Sequence, residues 1–290
     1  MTDQPATVSP PRTNLLAEKA VVITGAGRGI GRALALAAAR HGAAVVVNNR
    51  TAGLADAVAE EIRQEGGTAV ANGGSVTSWT ECAAVIEQCL DEFGRIDGLV
   101  NNAALFHSGP PDEISEAELR QLVETNLLGT MFCGIHAIRA MRRAGRGTII
   151  NVTAGSQMGN ELVSAYGASK GAVASLTYCW AIDLRETGIR VNAVWPTGGT
   201  RLAMMRPPRL RPRRQPSPES NAPLVLYLLS DRSAGITGQV FVSRGRLLAV
   251  ASHPAVADAR AEADDWSVDS VTAAFDSRLR GQLAPLGPSV

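Results

Sequence analysis

Short runs of apolar, mostly β-branched residues alternate along this chain with alanine-rich stretches of helical length. Runs such as VVVN and TIINV show no alternation of polar and apolar residues, so the strands that they predict should be buried on both faces. The alternation of strand and helix predicts an α/β fold built on a doubly wound parallel sheet of about seven strands. The candidate strands are Ala20–Thr24, Ala43–Asn48, Thr68–Ala71, Gly98–Asn101, Gly147–Val152, Ile189–Val194 and Gln239–Ser243.

A glycine-rich turn follows the first candidate strand. Residues 24–31 have the sequence TGAGRGIG and run into a helical stretch. This order of strand, glycine turn and helix places backbone N–H groups and the positive helix end against a diphosphate, in a Rossmann-type domain. Glycine is needed where a side chain would block the ligand or where φ must be positive. The residues of the turn predicted to bind a cofactor are Gly25, Arg28, Gly29, Ile30 and Gly31.

The residues after the second strand decide between NAD(H) and NADP(H). An Asp or Glu at this position bonds the adenosine 2′-hydroxyl and repels a 2′-phosphate. This chain has Asn48, Asn49 and Arg50 instead. Because Arg50 and Arg28 can both bind a 2′-phosphate through charge-assisted hydrogen bonds, we expect NADP(H) as the cofactor.

Tyr166 and Lys170, in the sequence YGASK, open a helical stretch that continues to about Leu184. Residues four apart on a helix share a face, so the phenol and the ammonium should lie one above the other. A nearby lysine charge favours the phenolate, and we expect it to lower the pKa of Tyr166 from its ordinary value of about 10. The pair is therefore a candidate acid or base.

Further motifs occur in the order known from one enzyme family. They are NNAA at residues 101–104, Asn126 in a helical stretch, and IINVT at residues 149–153. Together with TGAGRGIG and YGASK, they make residues 15–245 resemble the short-chain dehydrogenase/reductase family, in particular its NADP-dependent 3-oxoacyl reductase-like members. The resemblance implies that Tyr166 donates or accepts a proton, that Lys170 binds ribose and tunes Tyr166, and that Asn126 holds a water of the proton relay. It also places these residues beside the cofactor: Asn49, Ser75, Val76, Asn102, Ala103, Tyr166, Lys170, Pro196 and Thr200.

The family's catalytic serine is missing from its expected place. Counted forward from the strand, that position is Ala154, and counted back from Tyr166 it is Thr153. Thr153 can supply the hydroxyl as a catalytic residue, and Ser156 is close enough to substitute for it. Since loss of one such donor costs about 10²–10³ in rate, slow turnover is expected. Ser156 and Met204 are also candidate substrate-binding residues.

Two segments interrupt the alternation of strands and helices. Residues 201–218 contain six Arg and five Pro, which should exclude regular structure and leave either a solvated, mobile loop or a lid whose charge favours an anionic substrate. Residues 246–290 form a predicted C-terminal extension, with a helix over Trp266–Leu279 that packs on the body or on a neighbouring subunit. Residues 15–245 are then one dinucleotide-binding catalytic domain.

Composition excludes several other classes of protein. The 28 Lys and Arg residues nearly balance 27 Asp and Glu, so no overall field attracts nucleic acid or an anionic membrane. No apolar stretch approaches the ~18 residues of a membrane helix, and residues 1–14 are polar and proline-containing, which predicts a disordered tail rather than a secretory signal. We expect a cytoplasmic protein without a metal site. The four cysteines, expected to be reduced and packed, are Cys82, Cys89, Cys133 and Cys179.

These inferences predict an NADPH-dependent reductase that transfers hydride to a ketone, or that catalyses the reverse alcohol oxidation, with Tyr166 as proton donor or acceptor. Two alternatives remain open. One is a non-redox dehydratase or cyclase on the same fold, and the other is a catalytically weak NADP-binding sensor or scaffold. The expected partner is a small carbonyl or alcohol substrate, and the resemblance implies a homodimer or homotetramer.

Overall fold

The computed structural model describes residues 14–208, 211 and 215–284. Within these ranges one sheet contains β1 (Ala20–Ile23), β2 (Ala44–Asn48), β3 (Thr68–Asn72), β4 (Gly98–Asn101), β5 (Gly147–Val152), β6 (Ile189–Pro196), β7 (Val240–Arg244) and β8 (Leu247–Val250). The strand order is β3-β2-β1-β4-β5-β6-β7-β8, and every neighbouring pair is parallel except β7 and β8. The predicted doubly wound α/β fold is confirmed.

Helices cover both faces of the sheet. Those of the described ranges are α1 (Gly29–Arg40), α2 (Ala52–Gln64), α3 (Trp79–Phe93), α4 (Glu116–Val123), α5 (Gly129–Ala144), α6 (Ser164–Asp183), α7 (Arg201–Met204), α8 (Ala222–Leu229) and α9 (Val268–Ala274). One core layer joins α1, α2 and α8 to the sheet, and a second joins α3, α5 and α6 to its other face. None of the helices within the described ranges is long and apolar enough to cross a membrane.

The strand order reverses between β1 and β4. From β1 the chain continues outward through β2 and β3, and it returns to the other side of β1 to place β4. A crevice forms at the carboxyl ends of the strands at such a reversal, and it is where ligands bind in open α/β sheets. The glycine turn after β1 and the NNAA segment after β4 both lie at this point.

The eighth strand differs from the prediction. The hairpin of β7 and β8 turns at two residues, Gly245 and Arg246, and Gly245 has a φ of +60°, as a tight hairpin turn requires. The sheet therefore continues to Val250, past the boundary predicted at residue 245. The predicted C-terminal helix is present as α9, followed by a π-helical turn over Phe275–Leu279, and the side chains of Val268, Val271 and Phe275 are exposed.

The proline-rich segment also differs from the prediction. Residues 201–204 form the short helix α7, because the Thr200 side chain accepts the Ala203 N–H as a cap and the first proline comes only at Pro207. Residues 209, 210 and 212–214 of that segment lie outside the described residues, as do residues 1–13 of the predicted N-terminal tail.

Three of the four cysteines follow the prediction of packed, reduced thiols. Cys82, Cys89 and Cys133 are free and buried, whereas Cys179 is free but exposed on α6. Among the described residues no group of His, Cys, Asp and Glu side chains is arranged to hold a metal ion.

Candidate active site

The glycine turn leaves no room for side chains where it meets β4. Gly25 has a φ of +64°, and a Cβ placed on it would lie 2.8 Å from the Ala103 Cα. A Cβ on Gly31 would overlap the carbonyl oxygen of Gly25. The turn therefore presents bare backbone at the start of α1, as a diphosphate site requires.

Hydrogen bonds fasten the segment after β4 to this turn. The Thr24 hydroxyl oxygen accepts the N–H groups of Asn102, at 3.0 Å, and Ala103, at 3.1 Å. The Asn102 side-chain amide donates to the Thr24 carbonyl at 2.9 Å. Asn102 and Ala103, which the family resemblance places beside the cofactor, thus lie directly against the predicted diphosphate site.

The segment after β6 forms the opposite wall. A Cβ on Gly29 would lie 3.3 Å from the Thr200 Cγ2, and one on Gly198 would lie 3.5 Å from the Ile30 Cγ1. Thr200 and Ile30, together with Pro196 at the end of β6, are therefore brought to the same crevice.

The residues predicted to hold the adenosine surround the ends of β2 and β3. Asn48 is buried, and its amide donates to the Asn72 side chain and the Gly74 carbonyl, at 2.8 Å each. The Asn49 amide donates to the Thr51 carbonyl. Asn48 is thus a structural support for the loop after β3, a role that the sequence analysis did not assign.

Arg28 and Arg50 are both exposed at this end of the crevice. No carboxylate of the described residues forms an ion pair with either guanidinium. Both positive charges are therefore available to a ligand.

Ser75 and Val76, the last predicted adenosine contacts, follow β3. The Ser75 hydroxyl is hydrogen-bonded to the Thr77 hydroxyl at 2.9 Å. The backbone N–H of Ser75 donates to the Glu81 carboxylate at 2.8 Å. Val76 is buried, and a Cβ on Gly129 would lie 2.8 Å from its Cγ2. Both residues shape the loop, and the Ser75 hydroxyl is already engaged within it.

Tyr166 and Lys170 lie buried on the first turns of α6. The Lys170 Nζ lies 5.8 Å from the centre of the Tyr166 ring and donates to the Val152 carbonyl at 2.8 Å. The two side chains therefore share one face of α6, as their spacing predicts.

The direction of the Tyr166 pKa shift differs from the expectation. Burial raises the pKa of Tyr166 to about 12, and the same cause lowers the pKa of Lys170 to about 8. Desolvation penalises the charged form of each group, and for Tyr166 it outweighs the attraction between the phenolate and the Arg206 guanidinium. At neutral pH the phenol is therefore protonated.

The segment after β5 supplies the hydroxyl candidates. Thr153 is buried directly after the residue that binds Lys170, and its hydroxyl donates a long hydrogen bond, 3.3 Å, to the Val194 carbonyl. The Ser156 hydroxyl is buried and has no hydrogen-bond partner within the described ranges. Ala154 packs in one apolar cluster with Tyr166.

Asn126 lies fully buried in a π-helical turn, Glu124–Leu128, between α4 and α5. Its side chain accepts the Leu105 N–H at 2.7 Å and donates to the Leu105 carbonyl at 3.0 Å and to the Ser169 hydroxyl at 3.1 Å. The Ser169 hydroxyl donates in turn to the Tyr166 carbonyl at 2.7 Å. Asn126 therefore ties the loop after β4 to the helix that carries Tyr166, and π-helical turns of this kind are frequent at functional sites.

Three further side chains lie at this site that the sequence analysis did not single out as site residues. The Phe106 ring lies 4.9 Å from the Tyr166 ring at 65°, and the Arg206 guanidinium carbon lies 5.8 Å from the centre of the Phe106 ring. Trp195 packs so closely on Gly155 that a Cβ there would overlap its indole. No spacing rule in the sequence singles these residues out, because each contact joins separate loops.

Met204 is not brought to Tyr166 by any contact in the described ranges. Its side chain is exposed, and its sulfur lies 4.0 Å from the Gln215 amide nitrogen. Its assignment to the substrate therefore stays a prediction.

Comparison with known proteins finds relatives that match most of this chain. A family model described as short chain dehydrogenase matches residues 19–210. Over 245 residues the chain is 37% identical to cis-4-hydroxycyclohexanecarboxylate dehydrogenase of Sinomonas cyclohexanicum, and the match covers 81% of this chain and 98% of that protein.

Two solved structures share the fold along most of their length. A short chain dehydrogenase from Mycobacterium avium has a TM-score of 0.84 and 32% identity, covering 94% of this chain and 98% of that one. Gluconate 5-dehydrogenase from Burkholderia cenocepacia J2315, in complex with NADP and tartrate, has a TM-score of 0.75 and 29% identity. The match covers 81% of this chain and 96% of that one. The chain belongs to the short-chain dehydrogenase family, whose members use a nicotinamide cofactor to interconvert hydroxyl and carbonyl groups.

Proposed function

We propose that this protein is an NADPH-dependent reductase of small ketones, which also catalyses the reverse oxidation of the alcohol, with Tyr166 as the proton donor or acceptor. The observation that carries the proposal is the buried pair of Tyr166 and Lys170 at the same carboxyl edge of the sheet as a glycine cradle with no room for side chains. A buried acid at the edge of a nucleotide site is what carbonyl reduction requires.

The proposed reaction divides the work between the cofactor and the chain. When bound, the reduced nicotinamide supplies the hydride that the carbonyl carbon receives. The Tyr166 hydroxyl donates its proton to the carbonyl oxygen, and a pKa of about 12 keeps that proton in place at neutral pH. The charged Lys170 stabilises the phenolate that remains, and Thr153 donates a hydrogen bond to the substrate oxygen.

Several residues are proposed to hold the cofactor. Gly25, Gly29 and Gly31 would leave the diphosphate to the backbone N–H groups of the turn. Asn102, Ala103, Thr200 and the other crevice residues described above would border the nicotinamide and its ribose.

NADP(H) is the proposed cofactor because Arg28 and Arg50 are exposed and have no carboxylate partner among the described residues. Both can bind a 2′-phosphate, and no acidic residue follows β2 to repel it. The gluconate 5-dehydrogenase that shares the fold contains NADP, which supports this choice.

The proposed substrate is a small ketone or alcohol, such as a substituted cyclohexanone. The relative from Sinomonas cyclohexanicum is named for a hydroxycyclohexanecarboxylate. We further propose a homodimer or homotetramer that works in the cytoplasm, as the family resemblance suggests.

One observation favours a second candidate, an NADP-binding protein with little or no redox turnover. Ala154 stands at one of the two positions where the family's serine is expected, and the Thr153 hydroxyl is already bonded to the Val194 carbonyl. A hydroxyl that is not free to reach the substrate would slow the reaction.

The test is the loss of NADPH absorbance in the presence of a panel of ketones, including 4-oxocyclohexanecarboxylate and 3-oxoacyl thioesters. The control is Tyr166→Phe, which keeps the ring and removes the proton. We expect turnover by the wild type, loss of about 10²-fold or more in the variant, and unchanged NADPH affinity by calorimetry. NADPH binding without turnover of any ketone would instead favour the second candidate.

A further inference from the structure

Arg206 brings a positive charge to the edge of the proposed active site. Its guanidinium carbon lies 5.8 Å from the centre of the Phe106 ring, and the Phe106 ring lies edge-on to that of Tyr166 at 4.9 Å. One aromatic ring therefore separates the guanidinium from the proposed proton donor.

The backbone on both sides of this arrangement is held in place. The Arg206 carbonyl accepts a hydrogen bond from the Arg211 Nε at 2.7 Å. The Gly109 N–H donates to the Leu162 carbonyl at 2.9 Å, which joins the loop that carries Phe106 to the loop before α6. Leu162 has a φ of +60°, a conformation that costs a branched residue energy and is often found at ligand sites.

The guanidinium stacks on the edge of an apolar cluster, and it has no carboxylate partner within the described ranges. Phe106 packs with Leu122, Val163 and Tyr166 in one cluster of apolar side chains. Arg206 is half-buried, and no Asp or Glu in the described part of the chain forms an ion pair with it. Stacking on a phenylalanine offsets only part of the cost of a half-buried charge.

We infer that Arg206 binds a carboxylate of the substrate. The site would then select ketones whose acid group and carbonyl lie on opposite sides of one six-membered ring. The inference rests on the proposed function, because Tyr166 marks where the carbonyl lies. Arginine is suited to this role, since its planar fork binds a carboxylate through two parallel hydrogen bonds while its face stays on the aromatic ring.

The first test measures binding without chemistry. Cyclohexanecarboxylate has the acid and the ring but no ketone, and cyclohexanecarboxamide is its neutral counterpart. We expect calorimetry, with and without NADP⁺, to show that the wild type binds the acid at least tenfold tighter than the amide. Arg206→Gln should remove that difference, and Arg206→Lys should retain part of it. Arg201→Gln, which removes an exposed arginine of the same segment, should preserve the difference.

The second test measures selectivity in turnover. We expect Arg206→Gln to lower kcat/KM for 4-oxocyclohexanecarboxylate by about 10- to 100-fold. The kcat/KM for the methyl ester of this acid should change less than about threefold. Equal binding of acid and amide by the wild type, or equal losses for acid and ester in Arg206→Gln, would overturn the inference. Arg206-dependent binding of the acid without reduction of any ketone would support the inference and count against the proposed function alone.

Discussion

The Lys170 ammonium donates a hydrogen bond to the carbonyl of Val152, the last residue of β5, and lies 5.8 Å from the Tyr166 ring. Both side chains are buried, so desolvation moves both pKa values toward the neutral forms. The acid of the proposed reaction is thus protonated at neutral pH, while the charge beside it is lost at a much lower pH than for an exposed lysine. Because the two pKa values, about 12 for Tyr166 and about 8 for Lys170, lie far apart, the effect of each group on the pH dependence of the reaction can be measured separately.

Reduction should slow as the pH rises through about 8. Lys170 loses its charge near its pKa of about 8, whereas Tyr166, with a pKa of about 12, stays protonated. Without the ammonium, the phenolate left by proton transfer is less stabilised, so kcat/KM for ketone reduction should be constant at low pH and decline above 8. Lys170→Arg, whose charge persists, should react more slowly but without this decline. A wild-type profile that is flat up to pH 10 would contradict the assignment.

The same pKa predicts a pH-dependent stability. The pKa of Lys170 is lowered from 10.5 in the unfolded chain to about 8 in the folded protein. Between these values the unfolded state binds more protons, so the folded state gains stability as the pH rises, by up to about 3 kcal/mol. Lys170→Met lacks this contribution. We expect the difference in free energy of unfolding between the wild type and Lys170→Met to shift in favour of the wild type from pH 8 to pH 10. A difference that stays constant over this range would show that Lys170 is not desolvated.

Cofactor preference should depend on the two exposed arginines. Arg28→Ala combined with Arg50→Ala removes both charges proposed to contact the 2′-phosphate, so the Kd for NADPH should increase by at least tenfold. The Kd for NADH should change less than about threefold, because NADH has no 2′-phosphate. Fluorescence titration of both cofactors measures the ratio. If the affinities for NADPH and NADH fell equally, the arginines would contact a part that both cofactors share, or would have a structural role.

The fold was predictable because the parallel strands contain short apolar, mostly β-branched runs that alternate with alanine-rich helical stretches. The seven predicted strands end within two residues of those in the structure. β8 was missed because only Gly245 and Arg246 separate it from β7, and its four residues at the sheet edge, three of them exposed and none buried, carry no burial pattern.

Site residues within one motif were predictable, but contacts between loops were not. The spacing of Tyr166 and Lys170 predicts their shared face, yet the direction of the Tyr166 pKa shift depends on burial by distant segments. The contact of Arg206 with Phe106 joins residues one hundred positions apart. Periodicity contains no information about such a contact.

A glycine of the cradle and a glycine outside it should respond differently to substitution by alanine. Gly31→Ala places a methyl group against the Gly25 carbonyl and the Asn102 amide, so it should lower the free energy of unfolding by about 1–3 kcal/mol and weaken NADPH binding strongly. Gly53→Ala is the matched control, because a Cβ there meets nothing within 4 Å and the residue lies in α2. It should stabilise the fold by about 0.5–1 kcal/mol. Thermal unfolding and NADPH titration of both variants check the prediction, and a Gly31→Ala variant with wild-type affinity would be inconsistent with the proposed cradle.

The hydroxyl that bonds the substrate oxygen should be that of Thr153. Thr153 directly follows Val152, whose carbonyl binds the Lys170 ammonium, whereas Ser156 lies one turn further on. Thr153→Ala should lower kcat by about 10²–10³ with little change in NADPH affinity, and Thr153→Ser should recover most of the loss.

Ser156→Ala is the control for this prediction. It removes a buried hydroxyl that has no partner in the described part of the chain, so folding should lose little, and kcat should fall less than about tenfold. A larger loss in Ser156→Ala than in Thr153→Ala would assign the role to Ser156, whose donor is not already bonded to a backbone carbonyl as that of Thr153 is to Val194. Steady-state kinetics of the three variants on one ketone therefore decide which hydroxyl replaces the family's serine.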